Sequence, residues 1–250
     1  METYLFSLFH RAIVKQERSY YKLIGELSAT KSGLQNQVLV NQKLVEGIVE
    51  SLINALEAKD PCTQGHSQRV SWMAAGVAKS MGLLPLECEQ VRLAGLFHDI
   101  GKIGIRDSIL LKKGPLTKEE FQEIKLHPIY SVKILEPVDP FHKVLSGVLY
   151  HHENWDGSGY PEGLKGNKIP LAASIIHVVD SYDALTSMRS YRLPMSSGAA
   201  ISELEQKSGV YYQPEVVSHF SKWMETVREK AVPMLSSPST DKPRKRVVRL

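Results

Sequence analysis

Five of the nine histidines sit where metal chemistry is easiest to build. His66, His98, His127, His151 and His152 each lie at an expected helix end or beside a polar or acidic neighbour. In LAGLFHDIGKIG, His98 and Asp99 close an apolar helix just before Gly101. Successive helical side chains diverge by about 100°, so both reach one polar centre only where the helix borders a pocket. Burying two polar groups in an apolar stripe is costly unless they are paired or bound to metal. His151-His152-Glu153 repeats that logic at the end of a second helix, and Asp180 does so after the run SIIHVV. Imidazoles and carboxylates without a thiolate make a nitrogen and oxygen ligand set. It suits iron, manganese, nickel, cobalt or zinc and argues against copper(I) or an iron–sulfur cluster. A lone histidine is more often a hydrogen-bonded or surface group than a ligand, so the reading rests on the repeated context.

The elements that must position these residues read as helices. Residues 1–56 contain no proline, and Leu34, Val38, Leu44, Ile48, Leu52 and Ala55 recur at spacings near three, four or six, the pattern of one or two amphipathic helices. Asn41 and Gln42 interrupt this stripe, which either pairs with a second chain or packs on the domain that follows. Lys59-Asp60-Pro61 breaks the helix, because a residue before proline avoids the helical region. A helix is expected over 66–81, ending at Gly82, and another from Pro85 to about Ile100. Thr117 with Glu120 predicts a capping box, and Pro128 suits a first helical turn. Val144, Leu145, Val148 and Leu149 give a further helical face, while 153–170, rich in glycine and proline, must be loop. SIIHVV is ambiguous by propensity, but flanking alanines and DALTS tilt it to helix. A last helix covers about 214–231, and the fold class is all-α.

Composition narrows the function classes. A length of 250 residues, 42% hydrophobic and 23% charged, can bury a core without disulfides, which excludes a disordered chain or a disulfide scaffold. The two cysteines, Cys62 and Cys88, form no zinc-type pair and fit a reducing compartment. The net charge of +4 resides in the last fifteen residues, where Lys242, Arg244, Lys245, Arg246 and Arg249 face one Asp241. The body is therefore neutral, which disfavours a nucleic-acid polymer as partner. No apolar run reaches the roughly 18 residues of a membrane span, and the start lacks a basic segment and cleavage site, so a cytoplasmic location is expected. Leu5, Phe6, Leu8 and Phe9 could touch a membrane, but a helix end packed on its own protein is the simpler reading.

HDIGK at 98–102 followed by HHENWDGSGYP at 151–161 resembles the HD-GYP family, bacterial phosphodiesterases of cyclic di-GMP within the HD metal-dependent phosphohydrolases. The likeness runs from about Leu56 to Phe220 and includes EAKDPCTQGHSQRV at 57–70, HP at 127–128, GLKGNKIP at 163–170 and VVDSYDALTSMRSYR at 178–192. It implies an HD-type helical bundle over 57–232, an N-terminal helical region over 1–56 that links, dimerises or packs on the body, and a disordered basic tail over 233–250. It further implies two divalent ions, iron or manganese first, then nickel, cobalt or zinc. His66, His98, Asp99 and Asp180 match the ligands of one ion, and Asp99 bridges to a second held by His127, His151 and His152. A metal-bridged hydroxide would then attack the phosphodiester phosphorus in line.

The same resemblance places Lys102 near the scissile phosphate and Arg189 and Arg192 on phosphate or guanine. Tyr160 either stacks on a base or fixes the loop against the body. Asp183 orients a ligand histidine or aids proton transfer, and Glu153 does likewise or faces water. Departures are Cys62, where some members carry an acidic ligand for a third metal, and Ser174, Ser190 and Gln213. None removes an expected ligand. The implied reaction turns cyclic di-GMP into pGpG, with GMP as the product of a further step. The alternatives are hydrolysis of a related cyclic dinucleotide such as cyclic GMP-AMP, and a signalling module that binds without turnover. Residues 1–56 are where a second copy or a regulatory protein would act.

Overall fold

Apolar residues at helical spacing dominate the chain, and helix is what it forms. The structure, a computed structural model, describes residues 2–59, 65–188 and 193–235. Ten α-helices appear among them, in the order α1 (Glu2–Lys59), α2 (His66–Ser80), α3 (Pro85–Phe97), α4 (Asp107–Leu110), α5 (Lys118–Ile124), α6 (His127–Leu135), α7 (Leu145–Leu149), α8 (Leu171–Thr186), α9 (Ser197–Gln206) and α10 (Pro214–Leu235). Short 3₁₀ turns cover Ile100–Gly104, Asp139–Val144 and Gly166–Lys168. No strand occurs among the described residues; Ser208 and Tyr212 form one isolated bridge. The class is all-α, as expected.

The chain divides into two compact units, Met1–Leu52 and Ile53–Leu250. In the first, α1 is one continuous helix rather than two. Tyr20, Leu27 and Leu34 there are 62%, 69% and 66% exposed, and Ile24, Val38 and Ile48 are also exposed. In the second unit, Ile53 and Leu56 from the end of α1 join a core with Val70, Ala74 and Val77 of α2, Val91, Ala94 and Phe97 of α3, and Val216 and Phe220 of α10. The contested run SIIHVV is helix, and Ile175, Ile176, Val178 and Val179 are all fully buried. At about 1.5–3 kcal/mol per buried aliphatic side chain, that burial overrides a β-branched preference for strand. No helix among the described residues is long and apolar enough to cross a membrane.

Caps follow the sequence closely. Thr117 Oγ1 accepts from the Glu120 amide at 3.2 Å, and Glu120 Oε2 accepts from the Thr117 amide at 2.7 Å. Pro85 opens α3, and Pro128 lies in the first turn of α6. The α3 helix stops at Phe97, short of Ile100, because His98 and Asp99 begin a tighter turn. Helix α10 extends to Leu235, three residues into the stretch read as tail; residues 236–250 lie outside the described residues.

Candidate metal centre

Every expected ligand sits at a helix terminus or on the last turns of α8. His66 opens α2, His98 and Asp99 follow α3, His127 opens α6, His151 and His152 follow α7, and Asp180 lies on α8. Residues from five segments thereby converge into two groups. His66, His98 and Asp180 form one, and Asp99, His127, His151 and His152 the other, with the potential ligand atoms of each group within 4.8 Å of one another.

Asp99 faces both groups. Its Oδ2 lies 3.3 Å from His98 Nε2 and 3.8 Å from His66 Nε2, and its Oδ1 lies 3.2 Å from His127 Nε2. Asp180 Oδ1 is 3.3 Å from His66 Nε2. Lys102 Nζ approaches Asp99 Oδ2 at 2.5 Å.

The tautomers explain why a cation fits here. Nδ1 of His98 donates to the Gly95 carbonyl at 2.8 Å, Nδ1 of His127 to that of Ile124 at 2.8 Å, and Nδ1 of His151 to that of Val148 at 2.6 Å. His66 donates its Nδ1 proton to Asp183 Oδ2 at 2.8 Å. With Nδ1 protonated, the neutral ring presents Nε2 as a bare acceptor. Yet Nε2 of His66 faces Nε2 of His98 at 3.4 Å, and Nε2 of His127 faces Nε2 of His151 at 3.2 Å. Ring nitrogens so closely opposed, beside carboxylates, can share a cation between them. The cluster could hold metal, and its fixed Nδ1 partners match the usual support of metal-ligating imidazoles.

Charge in the cluster is accordingly strained. Burial pushes the Asp99 carboxyl up, but Lys102, His98 and His127 hold it well below the usual carboxylate range. Burial likewise opposes ionised Asp180, and His66 outweighs it. His66 itself loses by burial but is lifted to about 9 by Asp180, Asp183 and Asp99. Burial, then neighbouring imidazoles, keeps His151 and His152 neutral, far below the ordinary histidine value.

A surrounding layer supports these groups. Asp183, buried on α8, accepts from Arg69 Nε at 2.6 Å and Nη2 at 2.9 Å as well as from His66. Oδ2 takes His66 and Arg69 together, while Oδ1 takes the Arg69 Nε–H. Ser131 Oγ donates to the His98 carbonyl at 3.0 Å and accepts from the Gly101 amide at 2.8 Å, which pins the HD turn to α6. His177 Nδ1 donates to the His151 carbonyl at 2.8 Å. Glu153 neither orients a ligand nor faces water: it is buried and accepts from the amides of Glu162, Gly163 and Leu164 at 2.8–3.0 Å. That folds the glycine-rich loop back over His152, where the Tyr160 ring stacks at 4.8 Å between centroids, 27° between planes. Tyr160-Pro161 is cis. A side chain at Gly159 would run into the Glu153 backbone and the His152 carbonyl.

Arg69, Ser131, His177 and Lys125 escaped the sequence reading. Spacing carried a faint signal for three: Arg69 lies three residues after His66, Ser131 four after His127, and His177 three before Asp180, each on its ligand's helical face. Lys125, whose ammonium is 5.2 Å from the Tyr160 ring, had no such mark. Arg189, Arg192 and Cys62 lie outside the described residues.

Imidazoles and carboxylates clustered at the helix ends of an all-α bundle make a helical domain with a site that could hold metal. The profile of the HD domain family matches residues 50–216, and the chain belongs to that family. A cyclic di-GMP phosphodiesterase of Thermotoga maritima is 42% identical over 177 residues, 70% of this chain and 48% of the relative. A 3'3'-cGAMP-specific phosphodiesterase of Vibrio cholerae is 33% identical over 188 residues, 75% of this chain and 41% of the relative. The chain spans about half the length of the curated relatives it matches. The crystal structure of a cyclic GMP-AMP specific phosphodiesterase from Vibrio cholerae shares the fold, with TM-score 0.59 and 19% identity over 76% of this chain and 50% of that one.

Proposed function

We propose that this chain is a metal-dependent phosphodiesterase that hydrolyses cyclic di-GMP to pGpG, with GMP as the product of a further step. The observation that carries the reading is Asp99, one oxygen toward His66 and His98 and the other toward His127. That is the disposition of a carboxylate shared by two cations. His66, His98, Asp99 and Asp180 would hold one, and Asp99, His127, His151 and His152 the other. When bound, two such ions supply Lewis acidity toward the phosphoryl oxygens and a water of lowered pKa. The HD-GYP resemblance puts iron or manganese first, and the donor set also accepts nickel, cobalt or zinc.

The protein's own groups do the rest. Asp183 keeps the His66 proton on Nδ1. Lys102 sets a positive charge beside Asp99, on the side where a phosphate would approach. Tyr160 stacks on His152, which favours its role of fixing the loop against the body, and the resemblance assigns Arg189 and Arg192 to phosphate or guanine. Residues 57–232 would form the catalytic domain and 233–250 a basic tail. The exposed apolar face of α1 supports residues 1–56 as the contact with a second copy, which mass measurement in solution tests.

Protein loaded separately with iron and manganese and incubated with each cyclic dinucleotide, the products resolved by chromatography, tests the activity. Formation of pGpG is the expected result. No turnover of any dinucleotide with metal demonstrably bound would refute it. A second reading, a hydrolase of cyclic GMP-AMP, is favoured by the likeness to the cGAMP-specific relative, and the same incubations decide between them.

A further inference from the structure

We infer that Lys59, the last residue of α1, is a positioning residue for Lys102, an inference that rests on the hydrolytic reading above. The 3₁₀ turn Ile100–Gly104 carries Lys102 at its centre. Carbonyls at the end of such a turn have no partner within it and must find one elsewhere. Lys59 Nζ donates to the Ile103 carbonyl at 2.6 Å and the Ile105 carbonyl at 2.7 Å, and pairs with Asp107 Oδ1 at 3.3 Å. Two of the ammonium's three protons go to these carbonyls, and its charge pairs with Asp107. A cation at this end also complements the dipole of the turn.

The turn is thereby fixed on both sides of Lys102. Ser131 holds the Gly101 amide on one side, and Lys59 holds Ile103 and Ile105 on the other. Between the two anchors Lys102 reaches Asp99. Ile100 and Ile105 are buried, so the backbone is held at its ends while the lysine side chain projects toward the cluster. Removing Lys59 leaves two carbonyls without their donor and frees the C-terminal half of the turn. Lys102 then loses its aim, although Lys59 touches neither Asp99 nor any expected ligand.

The test uses the full-length chain and two readouts. The first needs no turnover: brief lysine acylation followed by peptide mapping reports how accessible the Lys102 amine is. Lys59→Met is expected to raise Lys102 labelling severalfold, and Lys59→Arg to restore most of the protection. The second is a double-mutant cycle on hydrolysis. Lys59→Met is expected to lower kcat about tenfold, in keeping with the penalty for small misplacement of a reacting group. In a Lys102→Met background the same change is expected to have no further effect. If Lys59→Met only lowers the melting temperature, with Lys102 labelling and kcat unchanged, or if its effect on kcat is fully additive with that of Lys102→Met, the inference falls. Should Lys59→Met fail to fold, Lys59→Gln, which retains one donor group, is read by the same criteria. Absence of turnover in the parent protein would refute the hydrolytic reading and leave the labelling result to judge Lys59 alone.

Discussion

Nδ1 of His66 donates to Oδ2 of Asp183 at 2.8 Å, across 117 residues of chain. That bond decides which nitrogen of His66 is free, and it ties α2 to α8 at the edge of the cluster. Asp183→Asn keeps the shape but removes the charge that also holds Arg69. Its metal affinity is expected to fall about 10- to 100-fold, the usual effect of losing a partner behind a ligand histidine. Chelator competition with elemental analysis measures it. Unchanged affinity would mean that His66 is oriented by something else.

Metal removal should loosen the whole second unit, because the candidate ligands come from five separate segments. At metal concentrations near a thousand times Kd, binding stabilises the native state by about 4 kcal/mol. For a domain of this size that corresponds to roughly 10 °C in melting temperature. Calorimetry before and after chelation checks this, and a shift under a degree would speak against a built metal site.

Gly101→Ala should destabilise the fold. A Cβ there would meet the His127 carbonyl and the Ser131 amide and hydroxyl, none of which can retreat without moving α6. Overpacking of this kind costs about 1–3 kcal/mol. A fall in the urea midpoint at constant m-value is the expected result.

Glu153→Gln should open the glycine-rich loop. The amide would set an NH₂ group against backbone N–H donors that now share a carboxylate. Leaving a buried donor unpaired costs about 1–3 kcal/mol. Hydrogen exchange at Glu162, Gly163 and Leu164 should quicken while the α2 and α8 amides stay protected.

Much of the centre was legible because its signals are local. His98-Asp99 before Gly101, the capping box at Thr117 and Pro128 after His127 each declare a helix end within a few residues. The cluster's partners were harder. Arg69 and Ser131 are ordinary surface types whose roles arise only when α2 meets α8 and the HD turn meets α6. Glu153 read as a neighbour of the ligands, yet its partners lie nine to eleven residues onward. Helix α9 was missed because Ser-Ser-Gly reads as loop, although Ser196 Oγ accepts from the Ala199 amide as its cap. Helix α4, at four residues, is too short to show a period.

Three of the imidazoles are steered by a carbonyl only three positions earlier in their own chain: Gly95 for His98, Ile124 for His127, Val148 for His151. Each ring is therefore aimed by the stretch of chain just before it rather than by whatever lies between the rings. A cage aimed so locally asks little of the ion itself, so cations of similar size and softness would suit the same rings. The identity of the occupant would then follow what the surroundings supply.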